Sequence, residues 1–558
     1  MITLLKNGKL YDPEHNKNGV VEDIYIRNGV IIAKPTALVK ITQTYDLTGK
    51  IVMAGAIDMH SHIGGGKVNI ARMMLPEFRQ ELRQYSEPEA HICTLNCNHH
   101  ATPTTLETGF RYIEMGYTAA FEPAILPINA RQAHLEMADT PMIDKGGYAM
   151  LGNDDYFLRL LSSKADQKAI NDYVAWTLHA TQAIGIKVVN PGGISAFKFN
   201  QRRLNLDENN VHYLVTPRNI LKSLSRAVNE LGIAKPLHVH CNNLGVAGNF
   251  QTTLDTMAAS DGIPMHLTHI QFHSYGLEGD QKFSSAAAQI AEALNKNKHI
   301  TADVGQVLFG QTVTASGDSM MQHLNGKYAS PKKSVMMDIE CDAGCGVVPF
   351  KYRDQNYVNA LQWAIGLELF LSVNDPWRIF LTTDHPNGAP FTSYPHLIRL
   401  LMDKNFRNEA FAKLNLDAQA MSNLPSLTRE YSLYEIAIMT RAGPAKLIGL
   451  NDRGHLGKGS AADITVYTDL ADREAMFAKP DYVFKDGELV VKDGKVIKVV
   501  WGKTHVTKPA FDLNVELDLK KYFDKYHTIQ LDNFKISDAE ITDDGRGQLI
   551  RHTKRGTN

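Results

Sequence analysis

Residues 51–67 read IVMAGAIDMHSHIGGGK, an apolar run that leads into His60 and His62 and then into glycines. Successive side chains of a β-strand point to opposite faces, so these two histidines share a face, about 6.6 Å apart. Neutral imidazoles placed in this way can bind one divalent metal ion, and the glycines leave room beside it. The pair alone does not distinguish a metal site from two histidines at the end of a strand.

The composition is that of a globular protein with a sizeable core. The 558-residue chain is 44% hydrophobic and 21% charged, and its formal net charge is −1. This balance creates no overall field that would favour nucleic acid or an anionic membrane. No run approaches about 18 apolar residues, and the apolar part of the N-terminus is too short for a signal peptide. The five cysteines predict reduced thiols in a cytoplasmic protein, and the two C-x3-C pairs, Cys93–Cys97 and Cys341–Cys345, are interpreted as ordinary thiols.

Both ends of the chain carry short strand patterns bounded by turn signals. LLKNGKLYD and DIYIRNGVIIA near the start resemble ADITVYTDL and YVFKDGELVVKDG near residue 480. The sequence therefore predicts one small β-domain composed of residues 1–52 and 446–502, with the main domain, 53–445, inserted between them. Residues 503–558 form a polar extension that is expected to reach a partner or to be partly disordered.

Between these ends, apolar strand patterns alternate with helical patterns such as Asp166–Thr181 and Pro217–Leu231. Eight alternating units predict an α/β fold, a closed parallel (β/α)8 barrel of the TIM type. The eight predicted strands are residues 51–58, Tyr117–Pro123, Gly147–Asn153, Ile184–Asn190, Pro236–Asn242, Pro264–Ile270, His299–Gly305 and Ile379–Asp384.

The side chains that could bind metal ions fall on or after the ends of these strands, where barrel active sites lie. The spacing predicts a binuclear centre with His60, His62 and Asp384 on one ion, His240 and His269 on the other, and Lys187 as the bridge. Burial lowers the pKa of a lysine, and its neutral amine can then react with CO2 to give a carbamate with two oxygen ligands. Lys187 could instead pair with a carboxylate, and Lys198 is a rival carbamate site beyond a glycine break.

The assignments of three other histidines follow from their position along the strands. His238 shares a face with His240 but lies farther from the strand end, so it is interpreted as a supporting or packed residue. His266 and His269 are three residues apart, so only one is expected to point into the barrel, and His269 is preferred. His273 is expected to line the pocket.

This ligand set predicts metal-assisted hydrolysis of a C–N bond. Two ions can acidify a bridging water and polarise a carbonyl group. Asp384 would accept the proton and pass it to the leaving nitrogen.

The motifs also carry a family resemblance. The H-x-H pair, the lysine of strand four, the histidines of strands five and six and the final aspartate resemble the amidohydrolase superfamily. MAGAIDMHSHIGGGKVNIAR, IKVVNPGG, HVHCNNLGVAGNFQTTL and LTTDHPNGAPFTSYP are similar to the A subunits of formylmethanofuran dehydrogenases and of methylotroph formyltransferase/hydrolase complexes, over about residues 1–500. The resemblance places the carboxylated lysine of that family at Lys187 rather than at Lys198.

The resemblance implies two zinc ions with Lys187 as N6-carboxylysine. It implies hydrolysis of the N-formyl group of a methanofuran- or methylofuran-type carrier, with a glutamate-rich tail, to formate and free amine. The partners would be the other subunits of a formyltransferase/hydrolase complex, and the sequence around His385 favours the methylotroph type over the methanogen dehydrogenase. The alternatives are a cyclic-amide hydrolase of the dihydroorotase or hydantoinase type and a non-catalytic scaffold subunit.

Overall fold

The structure is a computed structural model that describes residues 2–36, 39–65, 68, 71–72, 74, 86–90, 105–197, 201, 204–314, 347–542 and 547–552. Its strands form two large sheets and two hairpins. In chain order they are β1 Thr3–Asp12, β2 Lys17–Arg27, β3 Val30–Ile32, β4 Gln43–Asp46, β5 Lys50–Ala54, β6 Ala56–Asp58, β7 Tyr117–Ile125, β8 Asp144–Leu151, β9 Gly185–Val189, β10 Leu237–His240, β11 Met265–Leu267, β12 Tyr275–Gly276, β13 Ser284–Ser285, β14 Ile300–Asp303, β15 Gly310–Thr314, β16 Val348–Tyr352, β17 Ile379–Phe380, β18 Ile464–Thr468, β19 Tyr482–Lys485, β20 Glu488–Lys492, β21 Lys495–Val496, β22 Thr504–Thr507 and β23 Leu549–His552.

The helices lie mainly between the strands of the sheet that contains β6–β11, β14 and β17, between β17 and β18, and in the last fifty residues. In chain order they are α1 Thr105–Glu114, α2 Ala130–Ala138, α3 Asp155–Ser162, α4 Gln167–Thr181, α5 Gly193–Phe197, α6 Pro217–Glu230, α7 Phe250–Ala258, α8 Ala287–Lys296, α9 Tyr357–Ser372, α10 Tyr394–Met402, α11 Lys404–Phe411, α12 Leu416–Ala420, α13 Leu433–Ala437, α14 Gly443–Ile448, α15 Arg473–Ala478, α16 Val515–Tyr526, α17 Leu531–Phe534 and α18 Asp538–Thr542. Among the described residues, no helix is long and apolar enough to cross a membrane.

The predicted barrel is confirmed. Eight parallel strands follow one another in the order β6-β7-β8-β9-β10-β11-β14-β17, each at one of the eight predicted positions. The first and last strands approach each other just beyond their ends, where Ser61 forms a parallel bridge with His385 and the His62 amide donates to the His385 carbonyl at 3.0 Å. The carboxyl ends of all eight strands therefore meet at one rim.

The predicted first strand, 51–58, is wrong as a single element, because the chain divides it at Gly55. Residues Lys50–Ala54 pair with β1 and β18 in the other sheet, and only Ala56–Asp58 joins the barrel through β7. A Cβ atom at Gly55 would lie 2.2 Å from Thr118 Oγ1, so only glycine allows this close crossing between the two sheets.

The other large sheet unites the two ends of the chain. Its order is β21-β20-β19-β18-β5-β1-β2-β3, with β4 paired to β1, and the antiparallel contact of β18 with β5 joins the late strands to the early ones. The domain boundaries at residues 52, 445 and 502 remain predictions.

The C-terminal extension forms regular elements that pack on the barrel over residues 503–542, so of the two predicted alternatives partial disorder does not apply to this part. Strand β22 pairs in parallel with the start of β8, and α16 and α17 pack against α4, where Phe534 stacks on Trp176 with 5.6 Å between ring centroids. The polar composition of the extension concealed this docking, which includes ring contacts of Phe523 and Phe534 with Trp176.

Several sequence interpretations lie outside the described residues. They concern Lys198 and the two C-x3-C cysteine pairs. The described parts of the long connection between β14 and β17 form the β15–β16 hairpin and α9.

Candidate metal centre

His60 lies at the middle of a buried polar cluster at the barrel rim. Its Nε2 atom is 2.9 Å from Asp384 Oδ1, and its Nδ1 atom is 2.9 Å from Nε2 of His238. The side chain is completely buried, and Thr268 Oγ1 is a further neighbour of Nδ1. One nitrogen of His60 thus faces the predicted ligand Asp384, while the other is held by side chains deeper in the barrel.

His62 completes the first predicted group of ligands. Its Nε2 atom is 3.6 Å from Asp384 Oδ1, and its Nδ1 atom is 2.9 Å from Glu122 Oε1. The donor atoms of His60, His62 and Asp384 all lie within 4.8 Å of one another, close enough for one metal ion. Burial alone would lower the pKa of His62, but the carboxylates of Glu122 and Asp384 raise it to about 9.

Glu122 is a site residue that the sequence analysis missed. It lies on β7, and its carboxylate accepts hydrogen bonds from the amides of Ile63 at 2.7 Å and Gly64 at 3.0 Å as well as facing His62. Despite burial, His62 and these amides lower its pKa, so it stays a carboxylate that orients the His62 ring. A glutamate inside the apolar run YTAAFEP was the available signal.

A second group of possible ligands consists of His240, His269 and His273. Their donor atoms also lie within 4.8 Å of one another, and the rings of His240 and His269 are 4.6 Å apart. His273, predicted to line the pocket, is buried, with its ring 5.3 Å from that of His269. The structure therefore brings His240 and His269 together as predicted and adds a third imidazole.

Both His266 and His269 contact the interior histidines, so the prediction that only one of them points inward is wrong. His266 faces His238 with 4.9 Å between rings, and His269 faces His60 at 5.4 Å. The alternation rule fails because β11 ends at Leu267 and His269 adopts a left-handed backbone, with φ 34°. Gly305 makes room for this turn, since a Cβ atom there would lie 2.3 Å from the His269 Cβ.

Asp303, at the end of β14, is the second missed carboxylate. It accepts from Thr382 Oγ1 at 2.6 Å and from the His269 amide at 3.0 Å, and it lies 3.0 Å from His266 Nε2. Burial acts to raise its pKa, but His60 and His266 hold that pKa well below the usual range. Asp303 thereby anchors the backbone of His269 and the ring of His266.

Lys187 lies on β9, in register with His238 on β10. Its side chain is buried, and burial lowers its pKa to about 8 in spite of the nearby carboxylates of Asp384, Asp303 and Glu122. Its charge also acts on His273, and the Asp384 carboxylate acts on it, so the amine lies within electrostatic range of members of both ligand groups. A substantial fraction of the amine is therefore neutral near pH 8, as carbamate formation requires.

The residues present fit metal ions. Nδ1 of His269 and both ring nitrogens of His273 are buried without a hydrogen-bond partner in the described part of the chain. Burial holds the pKa of both imidazoles well below the usual range, so both rings are neutral. Buried polar atoms normally have partners, and neutral imidazoles are good ligands for zinc and similar ions.

Comparison with known proteins places the chain among metal-dependent hydrolases. A family model described as the amidohydrolase family matches residues 43–497. The chain is 42% identical over 544 residues to the A subunit of the formyltransferase/hydrolase complex Fhc of Methylorubrum extorquens, covering 97% of each chain. It is 40% identical over 559 residues to protein FwdA of Methanocaldococcus jannaschii, covering 96% of each.

Solved structures agree with these relatives. The crystal structure of the FhcABCD complex of Methylorubrum extorquens with methylofuran contains a chain that matches with a TM-score of 0.92 at 42% identity, covering all of both chains. D-aminoacylase matches with a TM-score of 0.50 at 12% identity, over 89% of this chain and 97% of that one, a likeness of fold alone.

Proposed function

This chain belongs to the amidohydrolase family, and from that premise we propose that it hydrolyses the N-formyl group of a methylofuran-type carrier to formate and free amine. The observation that carries the proposal is the pair of adjoining ligand groups at the barrel rim, each with its donor atoms within 4.8 Å. The match over full length to a structure that holds methylofuran supports this choice of substrate.

The proposed ligands are those of the sequence prediction: His60, His62 and Asp384 for one ion, His240 and His269 for the other, and Lys187 as the carboxylated bridge. The proposed metal is zinc, because imidazole and carboxylate ligands suit it. When bound, two such ions would polarise the formyl oxygen and lower the pKa of water. His273 is a further candidate ligand, since its ring nitrogens lack other partners among the described residues.

Asp384 is proposed to move the proton. Its neighbours His269, His60 and His62 hold its pKa well below the usual range against the effect of burial, so the group is ionised and can accept a proton. The proton would then pass to the nitrogen that leaves with the carrier, because that nitrogen is a poor leaving group as an anion and departs readily as the neutral amine once it is protonated. Glu122 and His238 would keep the rings of His62 and His60 in place during this transfer.

We propose further that the chain works as one component of a cytoplasmic formyltransferase/hydrolase complex and binds a carrier with a glutamate-rich tail. The similarity to the A subunit of Fhc over 97% of each chain supports this context. The sequence identity to FwdA, 40%, is nearly as high as that to the A subunit of Fhc, 42%. Sequence identity therefore does not distinguish the methylotroph context from the methanogen context. The direction of the catalysed reaction, formate release or formate condensation, would distinguish them.

The test is a formate-release assay on the complex purified from its native host, with formylated carrier as substrate. We expect formate release that a chelator abolishes and that added zinc restores. Hydantoin and dihydroorotate serve as controls for a cyclic-amide hydrolase, and their ring opening without formate release would contradict the proposal. Metal analysis tests the scaffold alternative, which predicts fewer than about one zinc per chain.

A further inference from the structure

A cavity of about 430 Å³ lies between α3 and α4 of the barrel and α16 and α17 of the extension, and Met150 of β8, the register partner of Lys187, also lines it. Its walls are largely aromatic and include Tyr173 and Trp176 from α4, Tyr522 from α16 and Phe534 from α17. None of the histidines or carboxylates of the metal centre lines it. Its volume is in the range of small-molecule sites, roughly 300–1,000 Å³.

Two carboxylates reach this cavity, and only one of them has a cationic partner. Asp155 pairs with Arg159 at 2.7 Å and accepts from the Tyr522 hydroxyl at 2.7 Å. Asp154 accepts from the Tyr173 hydroxyl at 2.7 Å and from the Phe157 amide at 2.8 Å. Among the described residues, no lysine or arginine nitrogen forms an ion pair with Asp154 within 4.0 Å, and the only cation-forming side chain that acts on it is His527, which also lines the cavity.

The second oxygen of Asp154 is left for a ligand. Both hydrogen bonds fall on Oδ1, and no donor among the described residues bonds Oδ2. Burial raises the pKa of Asp154, the expected response of a carboxylate that lacks a countercharge. A cation placed at Oδ2 would supply that countercharge through a charge-assisted hydrogen bond.

The aromatic side chains that line the cavity favour an organic cation over a metal ion. Aromatic rings attract organic cations through their faces and cover apolar groups, whereas they offer too few oxygens for a bare metal ion. An anion would meet the uncompensated charge of Asp154, and a neutral ligand would leave that charge unpaired. The combination therefore favours an ammonium group attached to an apolar body.

We propose that this cavity binds a small organic ammonium, with its charged nitrogen at Asp154 Oδ2 and its aromatic or alkyl body against Trp176 and Tyr522. The site is distinct from the metal centre and stands independently of the proposed hydrolysis. The amine that hydrolysis of a formamide releases belongs to the same chemical class, so both sites could serve one metabolite.

The test measures binding to the full-length chain by calorimetry at pH 7. The probe is 2-phenylethylammonium, and its neutral isostere is 2-phenylethanol. We expect the ammonium to bind at least about tenfold more tightly than the alcohol and to change the fluorescence of Trp176. Equal affinity of the two probes, or no binding at about 10 mM ammonium, would overturn the proposal.

Variants locate the site. Asp154→Asn removes the charge but can still cap α3, and we expect it to weaken ammonium binding at least about tenfold. The matched control is Asp166→Asn, which alters the carboxylate that caps α4 through Ala169 and does not line the cavity. Ile128→Trp, a change at a half-exposed wall residue, should block entry without changing the charge. Equal loss in both Asp→Asn variants would contradict the assignment.

Two further measurements distinguish this site from the metal centre and from a protein interface. Removing metal ions with a chelator should leave ammonium binding unchanged, and loss of binding would place the probe at the metal centre instead. Binding should also persist when the chain is assembled with its partner subunits. If assembly abolishes it, a partner's side chain fills the cavity and the small-molecule proposal is wrong.

Discussion

The protonation state of the Lys187 amine depends on the residues that surround it. A lysine on an otherwise apolar strand is either a paired cation or a neutral amine, and the chain contains no direct signal that separates the two. Burial lowers its pKa to about 8, although three carboxylates act in the opposite direction. The neutral form needed for carbamate formation is therefore accessible near physiological pH.

We predict that Lys187→Ala lowers the metal affinity of the chain by at least about tenfold, because the bridging ligand is lost. Metal content after dialysis against a weak chelator, measured by mass spectrometry, checks this. Lys198→Ala is the control and should retain full metal content. The opposite pattern, a full site in Lys187→Ala and an empty one in Lys198→Ala, would transfer the role to Lys198.

The proton-transfer role of Asp384 also depends on a single side chain. We predict that Asp384→Asn keeps most of the bound metal, since the amide oxygen still coordinates, but lowers the rate of formate release by about 10²–10⁴-fold. Metal analysis and the formate assay on the same preparation separate the two effects. Near-normal turnover in this variant would be incompatible with proton transfer by Asp384.

At the scale of elements, the feature that positions the predicted metal ligands is the division of one apolar run, residues 51–58, between two sheets. Ile51–Ala54 are buried in the composite sheet, and Ala56–Asp58 begin the barrel, with Gly55 as the crossing point. The crossing directs His60 and His62 to the rim, because it sets where the short barrel strand starts.

We predict that Gly55→Ala destabilises the chain by about 1–3 kcal/mol or more, since the new Cβ would overlap Thr118. Chemical denaturation measures the change. The double variant Gly55→Ala/Thr118→Gly should lose less stability than the sum of the two single variants, because the clash is removed. Strict additivity would show that steric overlap is not the cause.

At the scale of the whole molecule, a buried ionic network joins the barrel, the composite sheet and the extension. Asp144 of β8 lies 3.0 Å from Lys485 of β19, pairs with Arg453 and lies 3.4 Å from His505 of β22. The cations hold the pKa of Asp144 well below its usual range against the effect of burial. Breaking such a network by removing one partner leaves buried charges unpaired, so its members fix how the three parts sit together.

Stability should also depend on pH through His134, a buried residue of α2. Its Nε2 atom donates to the Thr181 carbonyl of α4 at 2.8 Å, and burial lowers its pKa to about 4. The unfolded chain binds a proton at His134 below about pH 6.5 while the folded chain does not, so stability falls as pH decreases from about 6.5 to 4. This group contributes at most about 3 kcal/mol to that loss.

Denaturation midpoints between about pH 4.5 and 7.5 check this prediction. His134→Gln cannot take up the proton, so its stability should depend less steeply on pH than that of the unaltered chain. His396→Gln, a change at a partly exposed histidine of α10 that pairs with Glu474, is the matched control and should keep most of the slope. An identical slope for His134→Gln and the unaltered chain would remove His134 as the cause.

The sequence by itself determined the positions of the eight barrel strands, the placement of His60, His62, His240, His269 and Asp384 at or just beyond their ends, and Lys187 within β9. Local periodicity carries that information, because buried parallel strands are continuous apolar runs. Only the tertiary structure decided which side chains meet: Glu122 with His62, Asp303 with His266, and His273 with His240. It also decided that both His266 and His269 face inward, and that the polar extension docks on Trp176. These contacts join residues far apart in the chain through backbone turns and packing, which no local pattern encodes.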